Sequence, residues 1–146
     1  MENTDLCSFC GYYCGACDIY NGNIEHHAAG LKGIMNAYGF DFSDLPGMTL
    51  SNPEFQAVLD NIITFFRPGI SCREGCGACI QNCAVKRCVQ ERGIDTCAFC
   101  DQFPCEKLEG HGNIAFTGLN EQRELGLQVW ADRMAAKVAA GWSYVD

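Results

Sequence analysis

The sequence predicts a mainly α fold: a single small helical domain over residues 1–146, with Cys-rich, zinc-knuckle-like metal-binding loops. Three observations carry that reading. Apolar residues recur at helical spacing in the stretches between and after the cysteines, and no stretch alternates as a strand would. The 12 cysteines fall in two blocks and repeat as short C-x2-C pairs. A chain of 146 residues is the size of one domain and buries roughly two-thirds of its unfolded surface, so metal is not needed to make up for a missing core.

Taken in order, the first cysteine block (Cys7, Cys10, Cys14, Cys17) precedes a helix expected from about Ile24 to Tyr38, with Leu31, Ile34 and Tyr38 on one face and Gly39 as its stop. Phe40 to Leu50, with Pro46-Gly47, reads as a loop. The next helix has the strongest punctuation: Asn52 as N-cap, Pro53 at the first helical position, Glu54 against the dipole, then Phe55, Val58, Leu59, Ile62 and Phe66 before Pro68-Gly69. The second block holds Cys72, Cys76, Cys79, Cys83, Cys88, Cys97, Cys100 and Cys105. It contains short helical pieces at about Ile80 to Arg92, stopped by Gly93, and at Cys105 to Glu109, entered through Pro104. A last long helix is expected from about Asn120 to Ala140, with Glu121 and Glu124 in its first turn and Leu127, Trp130, Met134 and Val138 as its apolar stripe. These stripes, and Trp130 and Trp142, are expected in the core.

Charge narrows the function. Ten basic residues against 18 acidic leave a formal charge of −8, which opposes nucleic-acid binding through phosphate. No apolar run approaches the about 18 residues of a membrane span, and Met1-Glu2-Asn3-Thr4-Asp5 lacks the regions of a signal peptide, so a cytoplasmic protein without membrane attachment is expected.

The cysteines carry the chemistry. Cys10-Gly-Tyr-Tyr-Cys14-Gly-Ala-Cys17 and Cys72-Arg-Glu-Gly-Cys76-Gly-Ala-Cys79 both read C-x3-C-G-A-C, and Cys97-Ala-Phe-Cys100 adds a further C-x2-C pair. A tight turn over such a pair brings two thiolates onto one ion, at a Zn–S distance of about 2.3 Å. Structural zinc fits best. An iron–sulfur cluster is the alternative, since C-x3-C-x2-C is the spacing that holds the cluster of radical S-adenosylmethionine enzymes; Ala16 and Ala78 stand where those carry an aromatic residue, and 146 residues do not make their barrel. A dithiol redox site lacks its βαβ context, and a disulfide framework fits neither the length nor the expected compartment. The candidate metal ligands are Cys10, Cys14, Cys17, Cys72, Cys76, Cys83, Cys88, Cys97, Cys100 and Cys105, with Cys7 and Cys79 as ordinary thiols. His26-His27, which could complete a site from the middle segment, reads rather as a solvated pair near a helix start, and no phosphate loop, nucleophile elbow or zinc-protease motif occurs.

The opening Cys10 to Cys17 followed by Ile19-Tyr20, and the close Cys83-Ala-Val-Lys86-Arg87-Cys88, Cys97-Ala-Phe-Cys100 and Phe103-Pro104-Cys105-Glu106-Lys107-Leu108, resemble an uncharacterised family of short prokaryotic proteins classed as a domain of unknown function. The middle departs from that family, whose members show C-x-G-C where this chain has Cys72-Arg-Glu-Gly-Cys76. The resemblance implies metal binding, zinc foremost, and no reaction. The expected function is therefore a non-catalytic zinc-binding protein that binds a protein partner or handles metal, with electron transfer through an iron–sulfur cluster as the alternative. One site is expected to join Cys10, Cys14 and Cys17 to a cysteine of the second block, with Cys83, Cys88, Cys97 and Cys100 near one another.

Overall fold

Ser51 opens the best-punctuated helix of the chain. In the computed structural model, which describes residues 1–76 and 83–145, its side chain and backbone meet Glu54 in a capping box. Pro53 sits in the first turn, and the helix runs Asn52–Phe65 (α2). The cap is therefore Ser51 and not Asn52. The Asn52 amide instead donates to the Phe40 carbonyl, and its oxygen accepts from Gln56 at 2.9 Å, which ties the preceding loop to the helix.

The helix before it, Asn23–Tyr38 (α1), lies against α2. Ala28 and Met35 meet Leu59, with Phe55, Ile62 and Ile63 around them. The expected inward stripe is corrected here. Ile34 and Tyr38 are 51% and 75% exposed, and Leu31 is also exposed, because α2 is the main partner of α1 and the Ala28–Met35 line faces it. Val58 on α2 is exposed for the same reason.

Ala84–Arg92 forms α3, with Cys83 at its N-cap and Gly93 at its end. The expected start near Ile80 lies outside the described residues. Glu106–Leu108 is a single 3-10 turn that buries Leu108.

The tail is two helices rather than one. Asn113–Leu125 (α4) begins well before the expected Asn120, and Leu127–Ala139 (α5) follows. Gly126 separates them at φ 81° and ψ 154°, a conformation open to glycine and strained for other residues. Glu121 and Glu124 consequently belong to the later turns of α4. Trp130 and Met134 are buried as expected, but Trp142 is 38% exposed and packs edge-on against Tyr144.

Among the described residues the sole β feature is an isolated bridge between Cys7 and Tyr13. Two adjoining clusters make the main core. One is rich in sulfur and joins Phe9, Cys10, Cys14, Cys72 and Cys97 to Val85, Val89, Leu108 and Leu119. The other sets Cys7, Tyr13 and Ala16 against Trp130, Ala131 and Met134 of α5. α4 presses directly on the first cysteine loop: a Cβ built on Gly118 would stand 2.0 Å from the Gly11 carbonyl oxygen, and one built on Gly11 would stand 2.2 Å from that of Ala115. No described helix is long and apolar enough to cross a membrane.

Candidate metal centre

Two of the described C-x-x-C pairs wind the same way. Cys14–Ala16 and Cys97–Phe99 are 3-10 turns, closed by hydrogen bonds from the Cys17 amide to the Cys14 carbonyl at 2.9 Å and from the Cys100 amide to the Cys97 carbonyl at 3.2 Å. Three residues per turn eclipse positions i and i+3, so each turn puts its two thiols on one side. Thr96 caps the second turn, its hydroxyl accepting from the Ala98 amide. The hydroxyl also donates to the buried Gln122 Oε1 of α4 at 2.7 Å.

Segments far apart in the chain meet at these turns. The Cys72 amide donates to Cys14 Sγ at 3.3 Å. Cys72 and Cys83 lie close enough to Cys10, and Cys17, Cys72 and Cys76 close enough to Cys14, for each thiolate to feel the others' charge. Cys105, Cys100, Cys10 and Cys88 stand in that relation to Cys97. Cys10, Cys14, Cys17, Cys72, Cys76 and Cys83 thus make one group, and Cys88, Cys97, Cys100 and Cys105 a second that adjoins it. Cys83 stands at the N-cap of α3, near enough to Cys10 for its charge to be felt there. Cys79 lies outside the described residues. Cys7 is fully buried beside Trp130 with its thiol on the Asn3 carbonyl, away from both groups. None of the eleven described cysteines is in a disulfide.

Burial sets the acidity of these thiols. It pushes Cys10 up to about 11 and Cys14 and Cys97 up to about 12, and the neighbouring sulfurs add to the rise. As protonated thiols they are poor ligands, and a bound cation would reverse the balance by stabilising the thiolates. Among the described residues, no group of three or more His, Cys, Asp or Glu side chains is arranged so that it could hold a metal ion as it stands. The donors themselves suit a soft or borderline cation: they are cysteines throughout, set on short turns and drawn from separate segments.

Basic side chains brace the second group. Arg92, one turn beyond Cys88 on α3, donates to Cys100 Sγ at 3.6 Å and is held by Asp101 at 3.0 Å and Gln102 at 2.8 Å. The sulfurs of Cys100 and Cys88 in turn favour its charged form. Arg123 of α4 donates to the Ala98 carbonyl at 2.7 Å and the Cys100 carbonyl at 3.4 Å while lying over the Phe103 ring. Near the first group, Lys86 reaches the Cys72 carbonyl at 3.4 Å and Arg73 the Cys7 carbonyl at 2.9 Å, both over the face of Phe9. None of these cations was given a role at the thiols by the sequence analysis. The one available sign was the four-residue step from Cys88 to Arg92, which shares a helix face.

His111 is half-buried, and among the described residues its Nδ1 has no hydrogen-bond partner. His26 and His27 are exposed on α1 and pack edge-on against each other.

A family profile described as a protein of unknown function (DUF3795) matches residues 6–110. The chain belongs to this family. The DUF3795 segment takes in every cysteine of the chain, from Cys7 to Cys105, whereas α4 and α5 lie beyond its end. Nothing matches among curated proteins, and no solved structure matches.

Proposed function

We propose that this member of DUF3795 is a zinc-binding protein whose ions are ligated by cysteine and serve structure. It acts in the cytoplasm as a partner-binding or metal-handling protein rather than an enzyme. The observation that supports this most is the convergence of thiols from residues 10–17, 72–83 and 88–105 in one core with no disulfide among those described. Many sulfurs buried together without covalent pairing suit thiolate ligation by a cytosolic metal. Cys10, Cys14 and Cys17 with partners from Cys72, Cys76 and Cys83 would hold one ion. Cys88, Cys97, Cys100 and Cys105 would hold another. When bound, zinc would keep these thiols ionised and cross-link the loops.

Four thiolates on a divalent ion carry a charge of about −2, and Arg92 against Cys100 and Cys88 offsets part of it at the second group. The same guanidinium would serve an iron–sulfur cluster, whose potential responds to hydrogen bonds on its sulfurs. That alternative is separated by colour: a zinc protein prepared without oxygen is colourless, and a cluster protein is brown and bleaches on reduction.

The test is metal removal with helicity followed by circular dichroism, alongside Cys100→Ser. Structural zinc binding is folding free energy, so both should produce gross loss of structure, restored in the wild-type chain by adding zinc back. Unchanged helicity after verified removal of metal would overturn the proposal.

A further inference from the structure

Beyond the DUF3795 segment, α4, α5 and the C-terminal stretch enclose a half-open cleft of about 240 Å³. Its floor is apolar, with the ring of buried Trp130 and the side chain of Met134, and Trp142 and Tyr144 form an aromatic wall. A cavity of about 150 Å³ is enough for benzene, so this space takes one ring or a branched alkyl group with polar atoms attached.

Two charged side chains border it. Glu121 accepts the Trp130 indole N–H at 2.9 Å through one carboxylate oxygen, which fixes its orientation. Lys137 stands 5.4 Å from the Trp142 ring centroid. Among the described residues neither Glu121 nor Lys137 makes an ion pair, with the other or with any third group. An aromatic-walled cleft with an unpaired carboxylate and an unpaired ammonium at its border is complementary to a small molecule that carries both charges on an apolar body.

We propose that this cleft binds a free α-amino acid with an apolar side chain, its ammonium on Glu121, its carboxylate on Lys137 and its side chain over Trp130. This proposal does not rest on the metal reading. The cleft is nevertheless built against the first cysteine loop: the Tyr13 amide donates to the Tyr144 hydroxyl oxygen at 2.7 Å, and Tyr13 packs edge-on against Trp130 at 6.0 Å. Gly118, another residue of its lining, is the point of contact with Gly11.

Trp130 and Trp142 are the two tryptophans of the chain and both line the cleft, so intrinsic fluorescence reads it directly. The full-length protein is titrated with L-phenylalanine, with 3-phenylpropionate, which lacks the ammonium, and with phenethylamine, which lacks the carboxylate; calorimetry gives the affinities. L-phenylalanine should saturate below about 1 mM, and each single-charge analogue should bind at least about tenfold more weakly. Glu121→Gln, which keeps an acceptor for Trp130, should weaken L-phenylalanine and phenethylamine and spare 3-phenylpropionate. Lys137→Met should do the converse. No saturation by L-phenylalanine, an analogue that binds as tightly as the amino acid, or affinities indifferent to both substitutions in chains of native helicity would each overturn the proposal.

Discussion

Replacing Gly118 by alanine should destabilise the protein although alanine is the better helix former. In the interior of α4 the exchange alone would gain about 1 kcal/mol. The new methyl carbon, however, would lie 2.0 Å from the Gly11 carbonyl oxygen, 3.1 Å from its carbon and 3.2 Å from Trp130 Cζ2. Reaching ordinary contact takes a separation of about 1.4 Å between two pieces of backbone, where no flexible side chain can turn aside. Gly11 packs closely on α4 elsewhere too: a Cβ built on it would stand 2.2 Å from the Ala115 carbonyl oxygen and 2.8 Å from Leu119 Cγ. Overpacking costs about 1–3 kcal/mol, and against backbone it falls at the top of that range, so a net loss of about 2 kcal/mol is expected. Gly30→Ala and Gly33→Ala on α1 are the controls. Nothing lies within 4 Å of a Cβ at either position, and each should gain about 0.5–1 kcal/mol. Equilibrium urea unfolding, with metal content matched between variants, measures all three. Gly118→Ala as stable as wild type, with the α1 variants behaving as stated, would refute the close approach of α4 to the cysteine loop.

Thr96→Val should cost about 1–3 kcal/mol by the same assay, because it strips the hydroxyl from Oε1 of a fully buried Gln122 whose Nε2 has no hydrogen-bond partner among the described residues. Adding Gln122→Leu should recover most of that loss, since both polar partners are then gone. Zinc affinity should fall as pH falls, by about tenfold per unit for each proton the metal displaces, because each ligating thiol must lose its proton to bind the ion; a chelator competition series at several pH values checks it. Arg123→Met should speed zinc release from the second thiol group, read with a chromogenic chelator, because the 97–100 turn loses the guanidinium on its carbonyls. Cys7→Ser should leave metal content unchanged, in contrast to Cys97→Ser, as Cys7 stands outside both thiol groups.

What could be read from the sequence was local. Ser51-Asn52-Pro53-Glu54 announced α2 to within one residue at its start, because capping depends on neighbours only. The C-x-x-C spacing likewise announced the turns at 14–17 and 97–100. What failed was set by distant partners. The Leu31, Ile34, Tyr38 stripe is periodic, yet periodicity does not say what lies opposite, and α2 covers the Ala28–Met35 line instead. Gly126 was visible inside an apparently continuous helical pattern, but a lone glycine is tolerated in a helix, so the pattern alone did not require the break. Which thiols α3 brings toward the first block depends on where that helix docks, and no spacing rule encodes that. Arg92 and Arg123 touch the candidate site from α3 and α4, and neither carries a motif.

Elemental analysis of untagged protein, prepared without oxygen and assayed for inorganic sulfide, tests the central claim most directly. The expected result is colourless protein with zinc in stoichiometric amount, lowered by Cys97→Ser and Cys14→Ser and kept by Cys7→Ser. Protein that holds its native helicity with no bound metal, or that carries iron and sulfide in place of zinc, would contradict it.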